Sequence, residues 1–296
     1  KMKKLLIAST ALVATAGMAA ADISMSGYAE IGMRDGGGTV GVEMHNDMDI
    51  GFKLSGASDN GLTFGASIDL DEVSSGIAST GGSQAVHVSG AFGTLTMGDT
   101  DGALDKVNAE VGMLTAIADD HTSHAGYNGG AGLDSGDILR YDTSYGNFGV
   151  SVSIGQDDTA NGDNDVIAYG ISTTVGTVAL SVAAQSNDTI DVTAVSAKTS
   201  MGGLSVVANF SDYDTGTATT SYEHMAVGLG YTVGDVALTA NFGSYDFGGA
   251  TATNDGFGFA ANKSLGGGAT IMLGYGSGTA AGVETDTVSL GLGLSF

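Results

Sequence analysis

The chain has 296 residues, 50 of them glycine, with no proline, cysteine or tryptophan and with 33 acidic residues against nine basic ones. Such a balance excludes nucleic-acid binding, which rests on basic patches, and the missing cysteine excludes a disulfide framework. It suits either a well-solvated surface or a negative field that draws in cations.

Residues 1–21 read as a secretory signal. Lys1, Lys3 and Lys4 form a charged start, residues 5–16 an apolar core, and Ala19, Ala20 and Ala21 a small-residue cleavage site. The apolar run is too short to favour a membrane-spanning helix, and no other run could cross a bilayer as one. Residues 22–296 are then a single 275-residue domain in which six basic residues face 33 acids, a net charge of −27.

From there the hydrophobic period is two, not 3.6. In the first strand, residues 23–33, Ala29, Ile31 and Met33 share one parity and Glu30 and Arg34 the other. In the second, Val42, Met44, Met48, Ile50 and Phe52, interrupted by Asn46, oppose Glu43, His45, Asp47, Asp49 and Lys53. In the third, Phe64, Ala66 and Ile68 oppose Asp69. Residues 86–99 give two strands joined at Phe92 and Gly93, and residues 138–152 two more joined near Gly146 and Asn147. There Leu139, Tyr141 and Thr143 oppose Arg140 and Asp142. Later strands put Leu204, Val206, Ala208 and Phe210, or Val288, Leu290, Leu292, Leu294 and Phe296, on one face and small or polar residues on the other.

A soluble sandwich would alternate too, so the rhythm of connections decides. Tight turns are expected at residues 57–61, 92–93, 146–147, 175–176, 201–203, 233–235 and 265–268. Longer loops are expected near 35–39, 71–82, 100–136, 157–164, 187–188, 214–221, 246–253 and 278–283. Seven turns and eight loops make sixteen strands, an even number with the turn–loop asymmetry of a transmembrane barrel. Lipid demands closure of such a sheet, since open edges leave unpaired backbone groups, so the first strand should pair with residues 285–296. A chain without proline suits strands that need every backbone donor. Tyr145, Phe148, Tyr213, Tyr222, Tyr231, Tyr245 and Tyr275, near strand ends, suit interfacial girdles.

If the apolar parity meets lipid, the charged parity lines water, because a basic residue on the lipid face at the midplane costs about 2–4 kcal/mol. That assigns Glu30, Arg34, Glu43, Asp47, Asp49, Lys53, Asp69, Arg140 and Asp142 to the lumen. Residues 100–136 form the one long connection, and a structureless loop of 37 residues belongs in a compact domain only if it has a function. Folded into the lumen it would narrow it, bringing Asp99, Asp101, Asp105, Glu110, Asp119, Asp120 and Asp134 to the constriction.

The hairpin–loop–hairpin block of residues 86–152, together with a terminal Phe296 on the apolar face, resembles general bacterial porins of the type found in photosynthetic alphaproteobacteria. The resemblance implies an all-β, sixteen-stranded antiparallel transmembrane barrel with an inward-folded constriction loop. It implies an outer-membrane homotrimer, passive diffusion of small hydrophilic solutes and ions, and no enzymatic activity. Small outward residues such as Ala66, Gly90 and Ala91 would permit close packing of the barrel walls in a trimer. In that family basic wall residues face acids on the loop. Here Asp47 and Asp49 stand where the family commonly has arginine, and only Arg34, Lys53 and Arg140 remain on the wall. A cation-preferring pore is therefore expected, since acids at a constriction repel anions.

His121 and His124 beside Asp119 and Asp120 could hold a transition metal or could simply tune the charge of the lumen. Asp157, Asp158, Asp163 and Asp165, with Asn161 and Asn164, offer hard oxygens suited to Ca²⁺, although the glutamate that closes an EF-hand is missing and an exposed acidic loop is the alternative. No strand-to-helix nucleophile elbow is present, and the glycine-rich residues 274–278 lack the helix of a phosphate cradle. An outer-membrane barrel with adhesin or hydrolase activity is the alternative reading. A secreted β-solenoid would need a fixed repeat, and none is found.

Overall fold

The structure, a computed structural model, describes residues 22–37, 41–71, 83–114, 116–118, 124–127, 133, 137–156, 164–248 and 253–296. They form sixteen strands in chain order: β1 (Asp22–Asp35), β2 (Val42–Ala57), β3 (Thr63–Asp71), β4 (Ser83–Gly90), β5 (Gly93–Gly98), β6 (Ile138–Tyr145), β7 (Phe148–Gly155), β8 (Val166–Val175), β9 (Val178–Ser186), β10 (Asp191–Met201), β11 (Leu204–Asp214), β12 (Tyr222–Val233), β13 (Val236–Phe247), β14 (Asn254–Gly266), β15 (Ala269–Ala280) and β16 (Val283–Ser295). One short helix, α1 (Ala103–Val107), interrupts the long connection. Each strand pairs antiparallel with its chain neighbours, and β1 pairs with β16 to close the barrel. The closure runs from Tyr28 opposite Ser295 to Asp35 opposite Val288, and the Phe296 amide donates to the Gly27 carbonyl at 2.8 Å. A closed cylinder leaves no sheet edge and overturns the solenoid alternative.

Register carries the two-residue period around the cylinder, since residues directly opposite on antiparallel strands point to the same face. Glu30 faces Asp47 of β2 and Gly293 of β16, and Lys53 faces Ser67 of β3. The other parity presents the large apolar side chains to the outside: Met25, Met44, Val86, Met97, Tyr169, Val182, Phe257 and Leu290 are all more than half or nearly half exposed. In water such a surface would be untenable, because soluble chains rarely expose apolar patches beyond a few hundred Å². Against hydrocarbon it is the ordinary solution. Lys263, the basic residue of β14 on this outer parity, lies three residues from the strand end and reaches Asp235 in the adjoining turn (3.6 Å). The long lysine stem can run along apolar surface while its head sits at the rim.

Two expectations change. The loop expected near 278–283 is a two-residue turn, Ala281 and Gly282, with φ of 49° and 79°. Both positive φ values mark the hairpin turn whose twist matches that of the flanking strands. Of the expected girdle, Tyr145, Phe148 and Tyr231 face outward, as does Tyr275, but Tyr213, Tyr222 and Tyr245 face inward. Tyr213 stacks on Tyr222 (4.4 Å between ring centroids, 16° between planes), and Tyr222 in turn meets Tyr245 and Phe247. Their parity matches that of Ser211 and Gly243, not that of Phe210 and Phe242. Strand-end position alone does not say which face a tyrosine takes.

Candidate functional site

The connection between β5 and β6 enters the lumen at once. Arg140, 6% exposed on the inner face of β6, holds its root. Its guanidinium donates to Asp142 Oδ2 (2.9 Å), to Thr100 Oγ1 (3.0 Å) and to the Asp101 carbonyl. A planar fork with fixed donors suits such divergent acceptors. Next, α1 lies along the inner wall of β7–β9, where the Ala103 amide donates to Ser153 Oγ at 2.8 Å. The chain then crosses β10 and β11: the Ala109 amide donates to Ser196 Oγ (2.8 Å), and Asn209 Nδ2 donates to the Ala109 carbonyl (3.0 Å). Inner-wall side chains thus satisfy backbone groups that would otherwise be buried without partners.

Beyond this point the loop reaches the barrel closure. Ile117 is fully buried against Gly32 of β1 and Gly291 of β16, and the Ala118 amide donates to Glu30 Oε2 at 2.6 Å. It returns over β12–β15, where His124 Nε2 meets Asn241 Oδ1 (2.7 Å) and His224 Nε2 meets the Gly126 carbonyl (2.9 Å). The Leu133 amide finally donates to Gln185 Oε1 of β9 at 3.0 Å. Wall glycines are required by this path: a Cβ at Gly228 would lie 2.3 Å from the Val111 carbonyl oxygen, and one at Gly243 2.2 Å from that of Gly126. Burial of Leu104, Val111 and Ile117 at 1% exposure or less contributes about 1.5–3 kcal/mol each.

His124 sits where the loop meets this wall. Burial, ahead of the neighbouring His224 ring, holds its imidazole below the ordinary range, against the Asn241 hydrogen bond and the Asp255 charge that push it up. The Gly126 amide donates to Nδ1 at 3.2 Å, which leaves Nε2 to carry the proton towards Asn241. The ring is therefore docked as the neutral form.

Among the described residues, the loop leaves open a crescent along the inner wall of β2–β6. Glu43, Lys53 and Asp69 are exposed there, His45, Asp47 and Asp49 half-buried, and Arg34 of β1 half-buried beside Glu43. Towards the tight-turn end a recess of about 540 Å³ lies between His87, Thr94, Thr96 and Asp142 on the wall and Lys106 on α1. Glu30 differs from these residues. It points inward but is 1% exposed, covered by the loop tip, with its carboxylate accepting from Tyr28 Oη (2.9 Å), from the Ala118 amide and, through Oε2, facing His45 Nε2 (3.1 Å). Of the loop acids, Asp99, Asp101 and Glu110 are exposed and Asp105 half-buried in α1. Asp119, Asp120, Asp134 and His121 lie outside the described residues, as do Asp157, Asp158 and Asp163; Asp165 is described, just before β8. Among the described residues no group of three or more His, Asp or Glu side chains could hold a metal ion.

Lys106 and Lys198 carry charge to the inner side without having been singled out from the sequence. Lys198 pairs with Ala179 and Val207 in register with Ser196, so its even parity on β10 was readable. Lys106 was not, because a five-residue helix inside a long connection has no strand period to read. Part of the acidity, conversely, never reaches the lumen. Asp212 of β11, Glu223 of β12 and Asp246 of β13 lie directly opposite one another on the outer parity, at the loop ends of their strands. Asp191 and Asp214 repeat this on β10 and β11.

Comparison with known proteins places this architecture. The family profile described as Gram-negative porin matches residues 8–282. A porin of Rhodobacter capsulatus is 33% identical over 168 residues, which span 54% of this chain and 54% of that protein, so the match extends over about half the length of the relative. Among solved structures, a porin refined at 1.8 Å resolution superposes with a TM-score of 0.75 at 22% identity, covering 93% of this chain and all of that one. A triple mutant of Rhodopseudomonas blastica porin gives a TM-score of 0.70 at 17% identity with the same coverage.

Proposed function

The chain belongs to the Gram-negative porin family, and from that premise we propose that it is a passive diffusion channel of the outer membrane for small hydrophilic solutes and ions, with a preference for cations. The observation that carries this reading is the acid-lined crescent left between the inward loop and the β2–β6 wall. Glu43, Asp47, Asp49 and Asp69 stand on that wall, with Lys53 among them, Arg34 of β1 beside Glu43, and Arg140 already engaged by Asp142 and the loop root. Acidic side chains at a constriction lower the local energy of a cation and raise that of an anion. The outer acids, on the other parity, add to the net charge but lie behind the wall, so the preference rests on the inner set alone. No bond is made or broken in such a function.

A homotrimer is part of the proposal, with the outward faces of the early strands, where Ala66 and Gly90 stand, as the contact. Planar-bilayer recording of detergent-extracted protein tests both. Conductance steps in threes, with a reversal potential of cation-selective sign in a salt gradient, are expected. Anion-selective sign would overturn the preference, and a bilayer left without conductance would overturn the channel.

A further inference from the structure

The loop tip rests on the barrel closure through two contacts unlike those along the rest of its path. The first is steric. Ile117 fills a socket whose floor is Gly32 and Gly291, and a Cβ at Gly32 would lie 2.4 Å from its Cδ1. The second is electrostatic. Glu30, 1% exposed, directs Oε2 at both the Ala118 amide and His45 Nε2, while Tyr28 Oη donates to Oε1. A buried carboxylate is stable only with such partners, so the loop amide and the glutamate depend on each other. Ala118 adopts φ of +61°, a left-handed conformation that a non-glycine residue holds only when its surroundings impose it. That strain is relieved if the tip lifts off. The Leu104 and Val111 contacts further back leave the rest of the loop in place.

We propose that Ile117 and Glu30 form a latch that holds the loop tip across the lumen and so sets the largest solute the channel admits. This rests on the diffusion-channel reading above. With the tip docked, Met113 lies against Gly230 of β12 and Ile117 against Gly32 of β1, and they bound the open crescent; with it released, that boundary is lost while the acid-lined wall of β2 and β3 is untouched. Size limit and charge preference are therefore controlled by different residues.

The test uses the full chain in two assays. Liposome swelling with saccharides of increasing length compares the parent protein with Ile117→Ala and with Glu30→Gln, two variants on different elements. Because the chain has no cysteine, Ala116→Cys, buried at 0% exposure, makes a sole thiol whose maleimide labelling reports release of the tip. Loss of one charge-assisted hydrogen bond should raise the labelling rate about tenfold in the Glu30→Gln background. Both variants should admit saccharides at least one unit longer than the parent, with the cation preference unchanged. Conducting variants that keep the parent's size limit overturn the latch, whether or not labelling accelerates, and leave the channel reading standing. A parent protein that forms no channel overturns the channel reading itself.

Discussion

The barrel has two inner walls of different chemistry. On β7–β15 the inward residues against the loop are mostly small and neutral, among them Ser151, Ser153, Ala168, Gly170, Ala183, Ala194, Asn209, Ala226 and Gly243, with Lys198 and the rings of Tyr213, Tyr222, His224 and Tyr245 as the exceptions. On β2–β4 they include Glu43, His45, Asp47, Asp49, Lys53, Asp69 and His87. The difference follows from what each wall faces. The first is covered by the loop, whose backbone must approach closely and find hydrogen-bond partners, and a charge buried there unpaired would be costly. The second faces water, where charge is cheap and sets the field. One sheet thus serves as a docking floor on one side and as a filter on the other, and the boundary between them is where the loop tip meets Glu30.

The sharpest way to break the docking floor is to add bulk. Gly228→Leu would drive a side chain into the Val111 carbonyl, and overpacking of this kind costs about 1–3 kcal/mol. Loss of stability in denaturant and an enlarged, noisier single-channel conductance are expected together, because the strain is relieved by expelling the loop. On the open wall, Asp47→Arg with Asp49→Arg should do the reverse. Stability should change little, since both side chains are half-exposed, while the reversal potential shifts towards anions. A double variant that keeps the parent's cation preference would mean that the crescent is not the ion path.

Acid should also act on the docking floor. The undocked His124 takes up a proton near its ordinary value of 6.5, whereas the docked ring resists it because burial holds its pKa down. The docking energy from neutral His124 is therefore fully present above pH 6.5 and declines as pH falls towards the docked ring's own lower value. Protonation would also place an N–H at Nδ1 against the Gly126 amide. Loop docking, read by thermal unfolding from pH 7.5 down to 5, should weaken on acidification in the parent protein and stay flatter in His124→Gln. Equal slopes in the two proteins would remove His124 from the account.

How much of this division was legible in the sequence differs by wall. Strand period alone puts Glu43, Asp47, Asp49, Lys53 and Asp69 on the charged parity of their strands, because alternation is a local property of each strand. The docking floor was not legible. Ser153, Ser196 and Gln185 become loop partners only through contacts some 50 to 90 residues apart in the chain, and nothing local marks a serine as an acceptor for a distant amide. Glu30 shows the limit most clearly. Its parity placed it inward, and inward it is, but only the return of the loop turns it from a wall charge into a buried anchor. The inward tyrosines are a different case: the local period of β11 already sets Tyr213 on the face opposite that of Phe210, and what the sequence did not show is that Tyr213 and Tyr222 join an apolar cluster with Leu104 and Leu133 of the loop.

The outer acids give the smallest effect and the cleanest control. Asp212 stands directly between Ser211 and Tyr213 in sequence but on the opposite face, across from Glu223, which is itself across from Asp246. Like charges directly opposite on a sheet are destabilising, and cross-strand pairs carry about 0.2–1 kcal/mol. Asp212→Asn should therefore raise stability by a few tenths of a kcal/mol at low salt, with the gain shrinking as salt screens the row. Its reversal potential should be that of the parent. The same loss of one negative charge at Asp47 should move the reversal potential and leave stability alone. If the two substitutions shift selectivity equally, the long-range field of the whole protein governs permeation and the wall does not separate the two sets of acids.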